Sequence, residues 1–390
     1  MEDFDVVILG AGAAGLMCAL TAGGRGRRVL LLDHAAEPGR KILISGGGRC
    51  NFTNLSADPA RFLSANRHFC KSALARYTPR DFLALVEKHG IAWHEKTLGQ
   101  LFCDGSARQI VAMLLVECAA VGVVLRLGQQ VGEITRPAGF RIATAAGEIA
   151  AESLVLATGG LSIPKLGATG LSHAIARRFG LPLTEIRPGL VPLTLDPDLL
   201  DRTRPLSGVA LEVVASTAGQ AFREAMLFTH RGLSGPAILQ ISSYRRSGAP
   251  LAIDLLPDHT AAILVEGKRA RPRSGLRALL TGLLPQRLAD LMLPPALAEA
   301  PLADLADAAL AALGAQLKAW TCRPAGDEGY AKAEVTLGGI DTAALSSRTM
   351  MARDVPGLFA IGEAVDVTGW LGGYNFQWAW SSGVCAGEAA

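Results

Sequence analysis

The chain has 390 residues, half hydrophobic and 19% charged, more than one hydrophobic core usually serves, so two or three globular domains are expected. Thirty-eight Lys and Arg against 35 Asp and Glu leave a formal charge of +3, which neither demands nor excludes a polyanionic partner. Seven cysteines without a CxxC pair or metal-type spacing read as reduced thiols, with no metal site expected.

The acidic start MEDFDVVILG enters a strand directly and is no secretory signal. No segment reaches the roughly 20 strongly apolar residues of a membrane span, so the expectation is a cytoplasmic protein without a membrane partner. Asp5–Leu9 has the β-branched character of a buried parallel strand. It leads into Gly10-Ala11-Gly12-Ala13-Ala14-Gly15, a GxGxxG pattern opening a helix, and a second apolar run then ends at Asp33. Gly10 permits a tight turn, Gly12 lets backbone approach a pyrophosphate, and Gly15 lets helix pack on strand. The helix N-terminus offers unpaired N–H groups and partial positive charge, while Asp33 suits a ribose hydroxyl. Strand, motif, helix, strand and acid in this order predict dinucleotide binding.

Next comes PGRKILISGGGRCNFTN, residues 38–54, in which three glycines follow an apolar run and precede a lone arginine and thiol. Residues 61–80 hold five Lys or Arg and no acid. A helix is expected from Tyr77 to Gly90, with Thr78 as N-cap and Pro79 at the first helical position. A β-meander (130–135, 140–145, 148–151) precedes a separate buried strand, Leu154–Ala157, that ends in Thr158-Gly159-Gly160. From about Pro188 short strand-like runs give way, near Thr260, to a leucine- and alanine-rich helical stretch. The expected organisation is therefore a nucleotide domain over 1–188, a β-rich insert over 189–258, a helical insert over 259–328, and a return over 329–390.

Within the inserts, FTHRGLSGP predicts a helix capped by Ser234. His230 there is either structural or an acid facing the cofactor. The run Lys268-Arg269-Ala270-Arg271-Pro272-Arg273 is either a solvated loop or a phosphate-contacting one. The late strand Gly357–Ile361 ends in Gly362-Glu363, more than 300 residues after the first motif. In FAD folds of the glutathione-reductase type such a strand brings a carboxylate to the ribitol, and Glu363 fits that role. No second GxGxxG follows a strand, so a nicotinamide donor would have to reach the flavin face directly and leave before substrate enters. In the terminal stretch, Gly372 and Gly373 open a helix whose dipole could face the flavin pyrimidine.

GAGAAGL, GRKILISGGGRCNFTN, ATGG, FTHRGLSGPAIL, AEVTLGGI and GEAVDVTGWLGGYNFQWAWSSG together resemble the BaiN/RdsA family of bacterial flavoproteins, also called aminoacetone-oxidase-type FAD-binding enzymes. The resemblance spans essentially the whole chain. It implies an α/β fold: a Rossmann-like FAD-binding domain of glutathione-reductase type, interrupted by a β-barrel-like and a helical insert. One FAD would lie along Gly10, Gly12, Ala13, Ala14, Gly15, Asp33, Arg40, Lys41, Ser45, Gly46, Gly47, Gly48, Arg49, Cys50, Asn51 and Val131. Its remainder would meet Thr158, Gly159, Gly160, Gly362, Glu363, Gly372, Gly373, Tyr374, Asn375 and Gln377.

Activities in the family include steroid enone reduction, oxidation of a small amino-ketone, and reduction of uridine to dihydrouridine in large-subunit ribosomal RNA. The first and last share one step, since uracil C5=C6 is conjugated to its carbonyl as an enone is. The expectation is an FAD-dependent reductase of a carbonyl-conjugated double bond, with 23S ribosomal RNA uridine as best substrate and NAD(P)H as electron donor. The alternatives are a small-molecule enone reductase or amine oxidase, and a flavin-stabilised RNA- or ribosome-binding factor without catalysis. Arg49, His230 and Cys50 are the catalytic candidates. The Cys50 thiol is either the proton donor, tuned by arginine and flavin, or a small buried residue behind the flavin.

Overall fold

The computed structural model describes residues 2–390, in two compact units. One unit runs from the N-terminus through Arg187 and resumes over Val335–Ala390; the other is Pro188–Glu334.

The first unit is built on a sheet whose centre is the opening strand Glu2–Leu9. It pairs in parallel with Val29–Leu32 on one side and with Gly147–Leu156 on the other. Val124–Arg126 extends the first side, again in parallel. Val6 to Leu9 and Val29 to Leu32 are all buried, as strands covered on both faces must be. The meander strands Val131–Thr135 and Phe140–Thr144 attach through the first half of Gly147–Leu156. The second half of that strand pairs with Leu358–Ala360. The expected break between 148–151 and 154–157 does not occur. One continuous strand serves two neighbours in succession, because its apolar residues alternate at first and then run unbroken to Leu156.

Two helices frame the site. Ala13–Gly24 follows the glycine motif, and Tyr374–Gly387 closes the chain. Their approach is close: a Cβ on Gly383 would lie 2.7 Å from the Ala14 carbonyl oxygen, so only glycine fits there. A three-stranded antiparallel sheet, Asn51–Asn54, Gln100–Cys103 and Trp93–Glu95, flanks the terminal helix. Helix Pro79–Lys88 starts as expected, with Thr78 and Asp81 in a reciprocal capping box.

The second unit carries a seven-stranded sheet ordered 320–322, 251–254, 210–217, 220–228, 232–234, 193–195 and 324–327. Only Arg323 separates its two edge strands, Trp320–Cys322 and Pro324–Asp327, so the sheet must curl back on itself. Helices Ile263–Ala270, Leu276–Thr281, Gln286–Met292 and Asp307–Lys318 form an excursion between two adjacent strands of that sheet. Helix Pro236–Ser242 is capped by Gly235 at φ 88°, not by Ser234, which pairs in a strand with Leu227. No helix among the described residues is long and apolar enough to cross a membrane, and no metal-type cluster occurs among them.

Candidate flavin site

The glycine motif sits where the first strand hands over to its helix. Gly10 has φ 108°, and a Cβ there would stand 2.5 Å from the Ala157 carbonyl oxygen. A Cβ on Gly15 would lie 1.9 Å from the Gly10 carbonyl oxygen. Both glycines are therefore required by close packing. Gly12 differs: no atom lies within 4 Å of its Cβ position. Gly12 is also the helix N-cap, without a side-chain cap or an acid in the first turn. The helix thus presents its unpaired N–H groups and dipole to open space, the arrangement that receives an anion.

Asp33 closes one side of this cradle. Its two carboxylate oxygens accept the N–H of Ala11 at 2.7 Å and of Ala35 at 2.8 Å, leaving further lone pairs for a hydroxyl donor. Arg40, at the start of the short helix Arg40–Ile44, is half-buried and makes no hydrogen bond or ion pair among the described residues. An unpaired, partly desolvated guanidinium beside an uncapped helix end fits a pyrophosphate.

Lys41 points elsewhere. Its ammonium donates to Glu363 Oε2 at 2.5 Å and to Ser162 Oγ at 2.7 Å. Glu363 Oε1 accepts from Ser162 Oγ at 2.9 Å and from the Thr336 N–H at 2.8 Å. Burial alone would raise this carboxyl, but the Lys41 charge and the hydrogen bonds outweigh it and hold it below its ordinary value. Gly160 and Gly362 border the same network: a Cβ on Gly160 would stand 2.3 Å from Thr336 Oγ1, and one on Gly362 2.9 Å from Ala14 Cβ. Gly362 is pinned from the terminal helix, donating to Ser382 Oγ and accepting from Trp378 Nε1. Thr158 pairs its hydroxyl with Ser172 Oγ at 2.7 Å, and Gly159 follows at φ 74°. Val131 is half-buried opposite Thr144 in the meander.

The glycine triplet forms one tight turn over Ser45–Gly48, with φ of 57°, 67° and 85° at Gly46, Gly47 and Gly48. Gly47 has nothing within 4 Å of its Cβ position, whereas Gly46 is pressed against Phe102 Cε1 at 2.8 Å. Ser45 Oγ turns back to donate to the Ile42 carbonyl. The Arg49 side chain is exposed and makes no hydrogen bond or ion pair among the described residues. Cys50 is the opposite: fully buried at φ 51°, its thiol is pushed up to about 12 by burial, which outweighs the lowering bond from Ser45. Of the two readings of Cys50, this geometry favours the small buried residue over the proton donor, because the enclosed thiol offers no surface that a substrate can reach.

Asn51 is nearly buried and meets the Gln100 amide at 3.0 Å. Gly372 and Gly373, at φ 102° and 93°, bring the terminal helix onto this strand. A Cβ on Gly373 would stand 2.4 Å from the Thr53 carbonyl oxygen. Three expected cofactor contacts in the terminal motif have protein partners instead. Gln377 is fully buried, accepting from Thr53 Oγ1 at 2.6 Å and donating to the Tyr77 carbonyl and Ser381 Oγ. Asn375 folds back onto the backbone of Gly369 and Trp370. The buried Tyr374 hydroxyl meets the Arg61 guanidinium at 2.5 Å. These side chains hold the helix N-terminus in place.

His230 lies in the second unit, exposed on the loop between strands Gln220–Phe228 and Gly232–Ser234. In the basic run of that unit, Lys268 pairs with Asp307 and Arg277 with Asp290. Arg269, Arg271 and Arg273 are exposed without ion pairs among the described residues. Within 61–80, Arg61 and Arg76 are engaged by Tyr374 and Glu388, while Arg67, Lys71 and Arg80 are exposed without acidic partners. Ser162, Thr336 and Gln100 are site-bordering residues that sequence reasoning missed. Ser162 and Thr336 sit beside ATGG and within AEVTLGGI, so those motifs held the signal.

The open N-cap, Asp33, Arg40 and the bare glycines fit the phosphates and ribose of FAD. Comparison with known proteins agrees. The model of the HI0933-like protein Rossmann domain matches residues 4–389. A protein of Escherichia coli (strain K12) named ribosomal RNA dihydrouridine synthase is 54% identical over 386 residues, covering 98% of this chain and 96% of that one. A Clostridium scindens protein named 3-dehydro-bile acid delta(4,6)-reductase is 28% identical, covering 98% of each chain. The solved 3-ketosteroid-delta4-(5alpha)-dehydrogenase of Rhodococcus jostii RHA1 shares the fold, at a TM-score of 0.51, 17% identity and coverage of 99% and 97%.

Proposed function

We infer, from the membership of this chain in the HI0933-like Rossmann family, that it is an FAD-dependent oxidoreductase that reduces uridine to dihydrouridine in ribosomal RNA. The observation that carries the substrate is the 54% identity over nearly the full length of both chains to a protein named for that reaction. NAD(P)H is the proposed electron donor, 23S RNA the proposed target, and the cytoplasm the proposed location.

Reduced FAD, held in the flavin site, would supply the hydride chemistry: hydride to C6 and a proton to C5 of the uracil ring would replace the C5=C6 π bond by two C–H bonds. The chain's own contribution is to bind, orient and polarise. The open helix end at Gly12, with Arg40 and Asp33, would hold the cofactor's adenosine and phosphates. Lys41 and Glu363 fix the polar lining between the two halves of the first unit. The glycine triplet keeps side chains away from the ring that must receive a flat substrate. Arg49, exposed beside that turn and without an acidic partner, suits a uracil carbonyl or a flanking phosphate. The target base must be unpaired or turned out of its helix to reach this turn. Arg67, Lys71, Arg80 and the exposed arginines at 269, 271 and 273 suit phosphodiester contacts.

The test is direct. Purified enzyme with NADPH or NADH and 23S RNA should form dihydrouridine, and the 23S RNA of a deletion strain should contain less of it. Unchanged dihydrouridine content in the deletion strain would refute the reading. A second reading, reduction of a free small-molecule enone, is favoured by the full-length similarity to the bile acid reductase. Turnover of free enones with no effect of RNA would select it.

A further inference from the structure

Three of the five exposed large apolar side chains among the described residues border the two ends of strand Asn51–Asn54: Ile44 on the side of the glycine triplet, Leu55 and Leu98 at the other end. Ile44 immediately precedes the turn. Leu55 and Leu98 belong to neighbouring loops joined by a hydrogen bond from the Leu55 N–H to the Gly99 carbonyl, 2.8 Å. Leu98 protrudes most, at 65% exposure, from the hairpin between strands Trp93–Glu95 and Gln100–Cys103.

The backbone at this tip is unusual for the residue it carries. Leu98 and Gly99 both have positive φ, 54° and 80°, and the Gln100 N–H closes onto the Thr97 carbonyl at 3.0 Å. That is the type I′ pattern, whose preferred pair is Asn-Gly. A leucine in the left-handed region is strained, and an exposed leucine gains nothing from burial to offset the strain. The tip is also rigidly placed. The Asn54 amide donates to the Leu98 carbonyl at 3.2 Å and to the Gly372 carbonyl at 2.8 Å, which ties the leucine to the start of the terminal helix. A cation stands beside it: Lys96 lies over the Phe102 ring at 5.5 Å, two residues from Leu98, and Arg49 is exposed at the other end of strand Gln100–Cys103; the exposed acids of this region are Glu95, Asp58 and Asp104. A rigid apolar point with a cation beside it suits a nucleic-acid helix, where apolar side chains enter between bases and cations meet phosphates.

We propose that Leu98 is a wedge: it enters the base stack of the RNA substrate and fills the place vacated by the target uridine as that base turns out toward the glycine triplet. This rests on the ribosomal RNA reading above. The wedge offsets the unstacking that a paired or stacked uridine must undergo, so it matters only for structured RNA.

The experiment compares Leu98→Asn and Leu98→Phe with wild type. Two RNAs carry the same target uridine, one in a folded stem-loop and one in a short unpaired oligonucleotide. Leu98→Asn removes the wedge while matching the turn's own preference, so its Tm should equal or exceed that of wild type. Its kcat/KM for dihydrouridine formation should fall about tenfold or more on the stem-loop and stay unchanged on the unpaired RNA. Leu98→Phe should retain the stem-loop rate. In the stem-loop, 2-aminopurine beside the target should brighten on binding wild type and Leu98→Phe but not Leu98→Asn. Equal rates for Leu98→Asn and wild type on the stem-loop overturn the proposal, as does an equal loss on both RNAs. A loss confined to assembled ribosomal particles assigns the tip to a protein contact and also overturns it. If wild type forms no dihydrouridine in any RNA, the substrate reading itself fails, and the wedge with it.

Discussion

Replacing Lys41 with Met isolates the role of the ion pair that crosses the first unit. In the native chain the Glu363 carboxylate is held by Lys41, Ser162 and the Thr336 N–H, and its side chain is 19% exposed against 37% for Lys41. Breaking a fully buried pair costs about 3–5 kcal/mol, and an exposed pair contributes at most about 1, so about 2 kcal/mol is expected here. At about 2–4 °C per kcal/mol, Tm should fall by about 4–8 °C near neutral pH. The pH dependence gives the sharper check. The folded carboxyl of Glu363 lies below its ordinary 4.5, so it adds stability above that value and loses it as pH falls through the folded pKa. Without Lys41, burial dominates and drives the group above 4.5, so the charged form becomes a liability at neutral pH. The Tm gap should therefore be widest near neutral pH and close as both proteins protonate Glu363 in acid. Thermal denaturation of the FAD-free variants across pH measures this, and the double variant Lys41→Met/Glu363→Gln should recover most of the loss. A gap independent of pH, or no recovery in the double variant, would refute the assignment of the stability to this pair.

Gly12→Ala should fold with unchanged Tm, since its Cβ meets nothing within 4 Å, yet weaken FAD binding measured by flavin fluorescence titration; normal FAD affinity would mean that the open space is not the phosphate site. Cys50→Ala should keep its turnover and the shape of its pH–rate profile, because the native thiol is fully enclosed and presents no surface to a substrate. A loss of about tenfold or more would return the thiol to the chemistry. Arg49→Ala should raise KM for RNA, leave FAD affinity unchanged, and lower the salt dependence of RNA binding by about one counterion if it meets a phosphate. Unchanged KM and salt slope would remove Arg49 from the substrate surface.

The legible part of the fold was the part whose reasons are local. Strand, glycine turn, helix, strand and Asp33 occupy one short stretch, and each residue type there answers a constraint set by its neighbours: bare backbone at Gly10 and Gly15, an acid at the sheet's end. The same holds for Thr78, Pro79 and Asp81, whose capping box is complete within four positions. Gln377 was misread because its partners are remote. Thr53 is 324 positions away and Tyr77 is 300, so a polar amide beside a glycine pair looked like a ligand-facing group when it is a buried brace. Lys41 and Glu363 were each expected to contact the cofactor, and nothing in their own stretches could pair residues 322 positions apart.

Cys50 shows a different limit. Sequence places a thiol beside an arginine, but backbone conformation decides what each side chain meets. Left-handed φ values at Gly46, Gly47, Gly48 and again at Cys50 send the chain through a tight reversal. The exposed Arg49 and the buried Cys50 thus leave adjacent Cα atoms for opposite environments, one solvated and one apolar. The reversal assigns their chemistry: the guanidinium stays available to an anion or a carbonyl, while the thiol loses the solvation that would let it ionise. The triplet is required because only glycine takes such a series of conformations without strain, and the bare surface it leaves at Gly47 is the space into which a flat ring can come. Leu98 follows the same logic with the sign reversed. It takes up a left-handed position that glycine or asparagine would hold with less strain, so the turn alone does not account for a leucine there.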